Sequence, residues 1–464
     1  MQVEAFRSKG ASAIDGLPPE RRRWAVAAIF TAMAMATLDT AIANVALPAI
    51  AADLHVSPAD AVWVVNAYQI ALVATLLPLA ALGEIVGLNR IYLGGLLLFT
   101  LASLACAWAW SLESLLVARV LQGLGAAGIM SVNTALIRFV YPERMLGRGF
   151  GHNALVVATA FTLGPTVASG ILALGPWPWL FAINIPFGLL AIVIGIRTLP
   201  HTPRAVHAFD FPGALLTAGS VGLVVLGIGS AAHKAGPALV ISELVAGVLL
   251  GWLLLRRQAD HPAPMLPIDL FRRPMFTLSA ATAICSFTAQ GLGFVALPFY
   301  LEDVLGRSQV ETGFFMTPWP LMVAIMAPVA GRLSDRYPAG VLGGIGLAVL
   351  MLGMVLLALL PANPLMADIV WRMALSGVGF GFFQTPNMKA LMFSAPSGRS
   401  GSASGIVATA RLTGQTTGAA LAALCFGLAD HEGATVALAL GAGFAAVGSL
   451  MSFLRLVAGP ATKA

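Results

Sequence analysis

Residues 24–49, WAVAAIFTAMAMATLDTAIANVALPA, form an apolar run that a single acid, Asp39, interrupts. About 20 mostly apolar residues suffice for a helix to cross a bilayer, so this run predicts a spanning helix. It is too long for the core of a cleavable signal peptide, and the polar residues 1–23 are expected to remain as a tail. The rest of the chain is similar, because 58% of its 464 residues are hydrophobic and 10% are charged. Soluble domains carry about 25% charged residues, so lipid is the expected solvent.

Further apolar runs follow at short intervals, and none carries more than isolated charges. The sequence therefore predicts an all-α polytopic membrane protein with fourteen spanning helices, called spans 1–14 below. The predicted spans are 24–49, 59–83, 88–110, 112–139, 148–173, 177–198, 209–231, 237–255, 274–301, 309–332, 339–360, 364–392, 401–428 and 434–456.

The positive charges fix the orientation of these spans. Of the 26 Lys and Arg residues, all but five fall in the tails and in the loops on one side. Cytoplasmic loops carry such an excess, so both termini are predicted to be cytoplasmic. The five exceptions are Lys234 and Arg307 outside, and Arg119, Arg372 and Arg411 within spans.

Other functional classes find little support in the sequence. The net charge of +6 belongs to the cytoplasmic loops, which does not indicate nucleic-acid binding. The three cysteines lie inside apolar runs without metal-ligand spacing, so neither a metal site nor a disulfide is predicted. The seven histidines are scattered, with no catalytic motif, which argues against a membrane-embedded enzyme. No cofactor is expected other than a coupling proton.

Two segments repeat at a distance of 254 residues. Gly123, Gly125 and Asn133 in span 4 correspond to Gly377, Gly379 and Asn387 in span 12. Internal repeats are common in transporters, whose substrate sites lie where the repeats meet; chance similarity between glycine-rich helices is the alternative. The fourteen spans are therefore predicted to form a bundle of six, an inserted pair and a second bundle of six. The predicted parts of the chain are a cytoplasmic tail at 1–23, a bundle at 24–198, an inserted pair with a cytoplasmic loop at 199–273, a bundle at 274–456 and a tail at 457–464.

Several stretches resemble the fourteen-helix drug:proton antiporters of the major facilitator superfamily. The resemblance implies a major facilitator fold in a bacterial inner (plasma) membrane, alternating access, and proton-driven export of hydrophobic, mainly cationic, compounds by a monomer. The stretches are LDTAIANVALPAI (38–50), WVVNAYQIALVATLLPLA (63–80), ARVLQGLGAAG (118–128), LGPTVASG (163–170), WPWLFAINIPFG (177–188) and GIVATARLTGQTTGAAL (405–421).

Asp39 and Arg119 are the candidate proton-coupling residues. An acid within a spanning helix costs about 2.5–3.5 kcal/mol on insertion scales and marks function by default. At about 1.5 Å per residue, the two residues lie at depths that long side chains can bridge. The family resemblance independently assigns the arginine to proton coupling. A purely structural charge pair is the alternative.

Candidate cargo-binding residues come from the spans that line the cavity in relatives. Aromatic and Met side chains offer adaptable walls for hydrophobic cations, although each could equally serve packing. Arg411 has no acid within a turn of its own helix and could meet carbonyls, Gln415 or an anionic cargo group. The candidates are Tyr68, Gln122, Gln290, Phe294, Met316, Trp319, Phe383, Asn387 and Arg411.

Candidate gating residues lie in span 5 and in two cytoplasmic loops. Gly164 and Pro165 allow close packing and a bend, and the resemblance marks this pair as typical of antiporters. Glu84 and Arg90 in one loop, and Asp335 and Arg336 in its repeat, would form charge latches. The first loop departs from the family pattern at Ala80, Glu84 and Ile85, and span 5 departs at Ala168 and Ser169.

Three other charged residues within predicted spans have weaker indications of function. Asp368 precedes Arg372 by four residues, the spacing of an ion pair on one helix face. Glu243 in span 8 could contact a partner or a substrate path. A proton-linked transporter of a metabolite or lipid, and a membrane protein that transports nothing, are the alternatives to an exporter.

Overall fold

The structure is a computed structural model. It describes residues 16–142, 145–202, 204, 209–232, 235–259, 271, 273–334, 336–361, 363–394, 400–429 and 432–457. Within these ranges the chain is helical, and fourteen helical segments are long and apolar enough to cross a membrane. The predicted fold class and number of spans are thus confirmed.

Most observed helices begin and end within a few residues of the predicted spans. Span 1 is longest because it continues into the polar Arg21–Arg23 segment. Spans 1–7 are Pro19–Asp53, Pro58–Ala61 with Trp63–Val86, Leu88–Ala107, Leu112–Val140, Leu146–Leu174, Trp179–Ala182 with Asn184–Thr198, and Phe211–Ala232. Spans 8–14 are Pro237–Ala259, Pro274–Phe299 with Tyr300–Val304, Gln309–Met316 with Pro318–Leu333, Ala339–Ala358, Met366–Ser394, Ser400–Ala429 and Gly433–Leu454.

Proline explains two irregular spans. Span 9 ends in a π-helical turn, Tyr300–Val304, directly after Pro298. Span 10 breaks at Thr317, before Pro318. Proline has no N–H and clashes with the preceding turn, so it interrupts the regular pattern of backbone hydrogen bonds at both points. At the break, the Thr317 hydroxyl donates to the Gly313 carbonyl at 2.9 Å.

The 254-residue repeat appears as matching close contacts in the two halves. A Cβ on Gly123 would overlap the Tyr68 carbonyl of span 2, and one on Gly377 would overlap the Trp319 carbonyl of span 10. The second glycines of the repeat pack span 4 on span 3 and span 12 on span 11. A Cβ on Gly125 would lie 2.8 Å from the Gly95 carbonyl, and one on Gly379 would lie 2.7 Å from the Gly346 carbonyl.

Spans 7 and 8 form a hairpin at the seam between the two halves. Span 7 packs on span 2 and on span 13, whereas span 8 packs chiefly on span 7. The Ser220 hydroxyl donates to the Gly247 carbonyl at 2.9 Å, and Arg257 pairs with Asp210 at 2.9 Å. Span 8 turns most of its apolar side chains outward, as a helix facing lipid does.

The two halves meet mainly at one end of the spans, the end with loops 54–57, 108–111, 175–178 and 305–308, which we call the closed end. One apolar cluster there contains residues of both halves. The Thr166 and Thr317 hydroxyls are 2.8 Å apart, and Thr162 donates to the Pro320 carbonyl at 3.3 Å. The charge rule assigns the closed end to the periplasm, so this conformation is predicted to face the cytoplasm.

Candidate functional site

Asp39 is completely buried in the middle of span 1 and is held by three side chains. Its Oδ2 accepts from Arg119 at 2.6 Å, and its Oδ1 accepts from Gln122 at 2.8 Å and from Asn184 at 3.1 Å. A buried charge is tolerated only when it is paired and hydrogen-bonded. The expected meeting of Asp39 and Arg119 across two helices is therefore observed.

Arg119 is also completely buried, in span 4. Besides Asp39, its Nη1 donates to Gln122 at 2.6 Å and its Nε to the Val64 carbonyl at 2.9 Å. The guanidinium lies 4.3 Å from the centre of the Tyr68 ring, within cation–π range. Its Nη2 has no hydrogen-bond partner among the residues that the structure describes. Arg119 thus keeps two neutral hydrogen-bond acceptors if Asp39 loses its negative charge.

Three members of this cluster were not predicted. Asn184 reaches Asp39 from span 6, Ser103 accepts from Gln122 at 3.0 Å, and Phe181 lies 5.4 Å from the Arg119 guanidinium. Asn184 could have been found, because an amide in an otherwise apolar span needs a partner. Ser103 could not, since small hydroxyl residues in spans usually bond to their own helix.

A narrow pocket, which we call the central cavity, lies between the halves next to the charge cluster, and in this conformation it has room for little more than a water molecule. Gln290 accepts from Gln415 at 3.2 Å across it. Phe294 packs against Phe161 and Trp319, with ring centres 5.4 Å apart in both pairs. Amide and aromatic groups together suit a cargo with an apolar body and some polar atoms. The lining residues are Thr40, Asn44, Gln69, Phe161, Gln290, Gly291, Phe294, Val295, Gln415 and Ala419.

Eight of the nine predicted cargo-binding residues divide into three groups. Gln290 and Phe294 line the central cavity. Tyr68 and Gln122 belong to the charge cluster, where Tyr68 donates to the Ala36 carbonyl at 3.3 Å. The remaining core residues of the second half are fully or almost fully buried in packing: Met316, Trp319, Phe383 and Asn387.

Asn387 belongs to a separate polar cluster at the other end of the second half. Its Oδ1 accepts from Arg455 at 2.7 Å, and its Nδ2 donates to the Ser279 carbonyl at 3.2 Å. Arg455 also donates to the Ser279 hydroxyl at 3.1 Å and to Ser452. Burial lowers the pKa of the Arg455 guanidinium to about 10, so it stays charged at neutral pH. In this conformation Asn387 holds a cation of its own bundle and does not line the central cavity.

Arg411 lies on span 13, one turn before the cavity-lining Gln415. The side chain is partly accessible, but its Nε is buried without a hydrogen-bond partner in the described part of the chain. No ion pair between described residues reaches it. Span 13, which carries Arg411, packs against span 2, which carries Tyr68, across the interface between the halves.

The predicted gating residues occupy two regions. A Cβ on Gly164 would overlap the Cβ of Ala41 in span 1, and the Pro165 carbonyl accepts from Ser169 at 3.0 Å. Glu84, Arg90 and Arg336 are exposed at the end opposite the closed end. Asp335 lies outside the described residues, so the second latch is not described.

The weaker charge predictions have mixed outcomes. Arg372 donates to the carbonyls of Leu356 and Leu359, while the Asp368 carboxylate accepts from the Trp371 indole at 3.2 Å. The predicted Asp368–Arg372 pair is therefore wrong, because carbonyls at the end of span 11 already satisfy the arginine. Within the described ranges, one oxygen of Glu243 is buried without a hydrogen-bond partner.

Comparison with known proteins agrees with this architecture. The sequence profile of the Major Facilitator Superfamily matches residues 29–419. The chain is 49% identical to the "uncharacterized transporter YebQ" of Escherichia coli K12, covering 95% of this chain and 97% of that protein. It is 31% identical to the riboflavin transporter RibZ of Clostridioides difficile, covering 84% and 85%. It is 32% identical to the multidrug resistance protein Stp of Mycobacterium tuberculosis, covering 83% and 72%. With fourteen candidate spans in its described residues and with these transporter relatives, the chain belongs to the Major Facilitator Superfamily and is a membrane transporter, not an enzyme.

Proposed function

We propose that this protein is a proton-coupled antiporter that exports hydrophobic drugs or other toxic compounds by alternating access. The observation that carries the proposal is the buried Asp39–Arg119 pair, one residue away from the cavity-lining Thr40. An ionisable pair at this depth is costly and marks a coupling site in transporters. The family resemblance and the multidrug resistance relative support the drug-export part.

In the proposed cycle, the two halves rock around the central cavity, and Asp39 takes up a proton when the closed end has opened. Protonated Asp39 would no longer form an ion pair with Arg119, but Gln122 and the Val64 carbonyl remain as acceptors. Asp39 can thus gain or lose a proton while the Arg119 guanidinium keeps two hydrogen-bond acceptors. One charge moved through 100 mV supplies about 2.3 kcal/mol, enough for a cargo gradient of roughly 50-fold.

The second candidate is a proton-linked transporter of an endogenous metabolite or lipid. The observation that favours it is the relative named as a riboflavin transporter, which matches this chain over a similar length at nearly the same identity. The polar lining from Gln69, Gln290 and Gln415 would suit such a cargo. The location in a bacterial inner membrane, with cytoplasmic termini, and the monomeric state are part of both proposals.

The test is cargo movement in proteoliposomes under an imposed pH gradient, with and without membrane potential. We expect drugs to move against the proton flux in the native protein, and Asp39→Asn to bind cargo but lose the effect of the pH gradient. Glu113→Gln removes an exposed acid near the start of span 4 and should change nothing. Full coupling in Asp39→Asn would overturn the proposal, and cargo moving with the protons would favour the second candidate.

A further inference from the structure

The charges near the central cavity do not balance. The Asp39 and Arg119 charges cancel in one buried pair. Arg411 adds a second guanidinium, and the described cavity lining contains no acid. The region therefore carries one net positive charge in the conformation described. A cationic cargo would enter against that charge, which disfavours the cationic cargo predicted from the family resemblance.

Arg411 is placed to face the cavity. Residues spaced by four lie on the same stripe of a helix, and Arg411, Gln415 and Ala419 have this spacing. The latter two line the cavity. Gly414 and Gly418 on the neighbouring stripe pack on span 9, against Phe287 and Thr288. The guanidinium therefore lies one turn below the described lining, on the side away from the closed end.

The bonding of Arg411 contrasts with that of the other buried arginines. Arg119 has an acid and two neutral acceptors, and Arg455 has Asn387, Ser279 and Ser452. Among the described residues Arg411 has no such partner, and its Nε is buried without an acceptor. An arginine without protein acceptors in a low-dielectric site presents a planar fork that matches an oxyanion.

We propose that Arg411 binds an acidic group of the cargo, so that the preferred cargo is an amphiphilic anion. Its carboxylate or similar oxyanion sits at Arg411, and its apolar body lies against Phe161 and Phe294. The inference rests on the proposed function only in taking the central cavity as the cargo site. If such an anion leaves the cell as a proton enters, the membrane potential acts on two elementary charges per cycle instead of one.

Equilibrium binding to the purified, detergent-solubilised full chain tests this without any proton gradient. The probes are three fluorescent naphthalenes of similar size: 2-naphthylacetate, 2-naphthylacetamide and a 2-naphthylmethyl trimethylammonium. We expect the acid to bind the native protein at least tenfold more tightly than the amide, and the ammonium to bind most weakly. Arg411→Gln should remove the preference for the acid and leave the affinity for the amide within twofold.

Arg411→Lys keeps the positive charge but lacks the planar guanidinium group, so it should retain part of the preference for the acid over the amide. Arg372→Gln, which removes an arginine bonded to carbonyls elsewhere in the second half, should keep all of it. Thermal unfolding confirms that each variant is folded; if Arg411→Gln is not, the native preferences and Arg411→Lys decide. Equal native affinity for acid and amide, tightest binding of the ammonium, or equal losses for acid and amide in the variants would each overturn the inference. Failure of proton-driven export, by contrast, would leave this binding result unchanged.

Discussion

Gly313→Ala is expected to weaken the contact that joins the two halves at the closed end. Gly313, in span 10, lies against span 5 of the other half. A Cβ there would overlap the Ser169 hydroxyl and would lie 2.6 Å from the Pro165 carbonyl oxygen. Ser169 can rotate away, but the carbonyl is part of the helix backbone. Reaching the 3.4 Å of an ordinary contact requires the two spans to separate by about 0.8 Å.

The size of the effect follows from the cost of overpacking. Extra methyl groups in a packed core cost about 1–3 kcal/mol. The strain exists only while the closed end is closed, so it shifts the equilibrium between closed and open by roughly 5- to 150-fold. Opening should expose Asn44, which lines the central cavity and is almost fully buried here.

The assay follows alkylation of Asn44→Cys by a membrane-impermeant maleimide. Cys106, Cys285 and Cys425 are first replaced, and right-side-out and inverted vesicles are compared so that the predicted orientation is tested separately. Gly313→Ala should raise the rate from the closed-end side at least fivefold. Gly170→Ala is the matched control on span 5, because a Cβ there meets no atom of the described residues within 4 Å. An unchanged or lower rate in folded Gly313→Ala would refute the argument that this contact holds the end closed.

Two further predictions concern stability. Asp39→Ala should lower the free energy of unfolding by about 3–5 kcal/mol because it leaves Arg119 buried and unpaired. The double variant Asp39→Ala with Arg119→Met should be more stable than Asp39→Ala alone. Thermal unfolding measures both effects, and additive losses in the double variant would contradict the pairing argument. Gly125→Ala and Gly379→Ala should each destabilise the protein by about 1–3 kcal/mol, since both sites are closed by neighbouring backbone, while Gly94→Ala and Gly443→Ala have open space and should be nearly neutral. Equal melting temperatures for the buried and open sites would show that the repeat glycines do not serve close packing.

The sequence was sufficient to predict the spanning helices and the ion pair between Asp39 and Arg119. Both rest on strong local signals: runs of about 20 apolar residues, and charges that are costly in lipid unless paired. The cargo residues were predicted less well, because burial in a helical bundle depends on which face of each helix meets the cavity. Trp319 and Met316 look like cavity residues by type but pack within the second half, whereas Asn44 and Gln69 line the cavity without having been singled out. The role of Gly313 could not be predicted, since a single glycine in a span does not show which helix crosses it.

Three consecutive residues of span 1 connect the three parts of the site. Asp39 carries the ion pair, Thr40 lines the central cavity, and Ala41 packs against Gly164 of span 5. Successive helical residues point about 100° apart because an α-helix has 3.6 residues per turn, so one turn faces the proton site, the cargo and span 5. Span 5 in turn carries Pro165 and Ser169, which meet Gly313 of the other half. Close-packed interfaces switch between discrete arrangements and do not deform continuously. A shift of this turn when Asp39 changes its bonds must therefore be accommodated at both the cavity and the closed end.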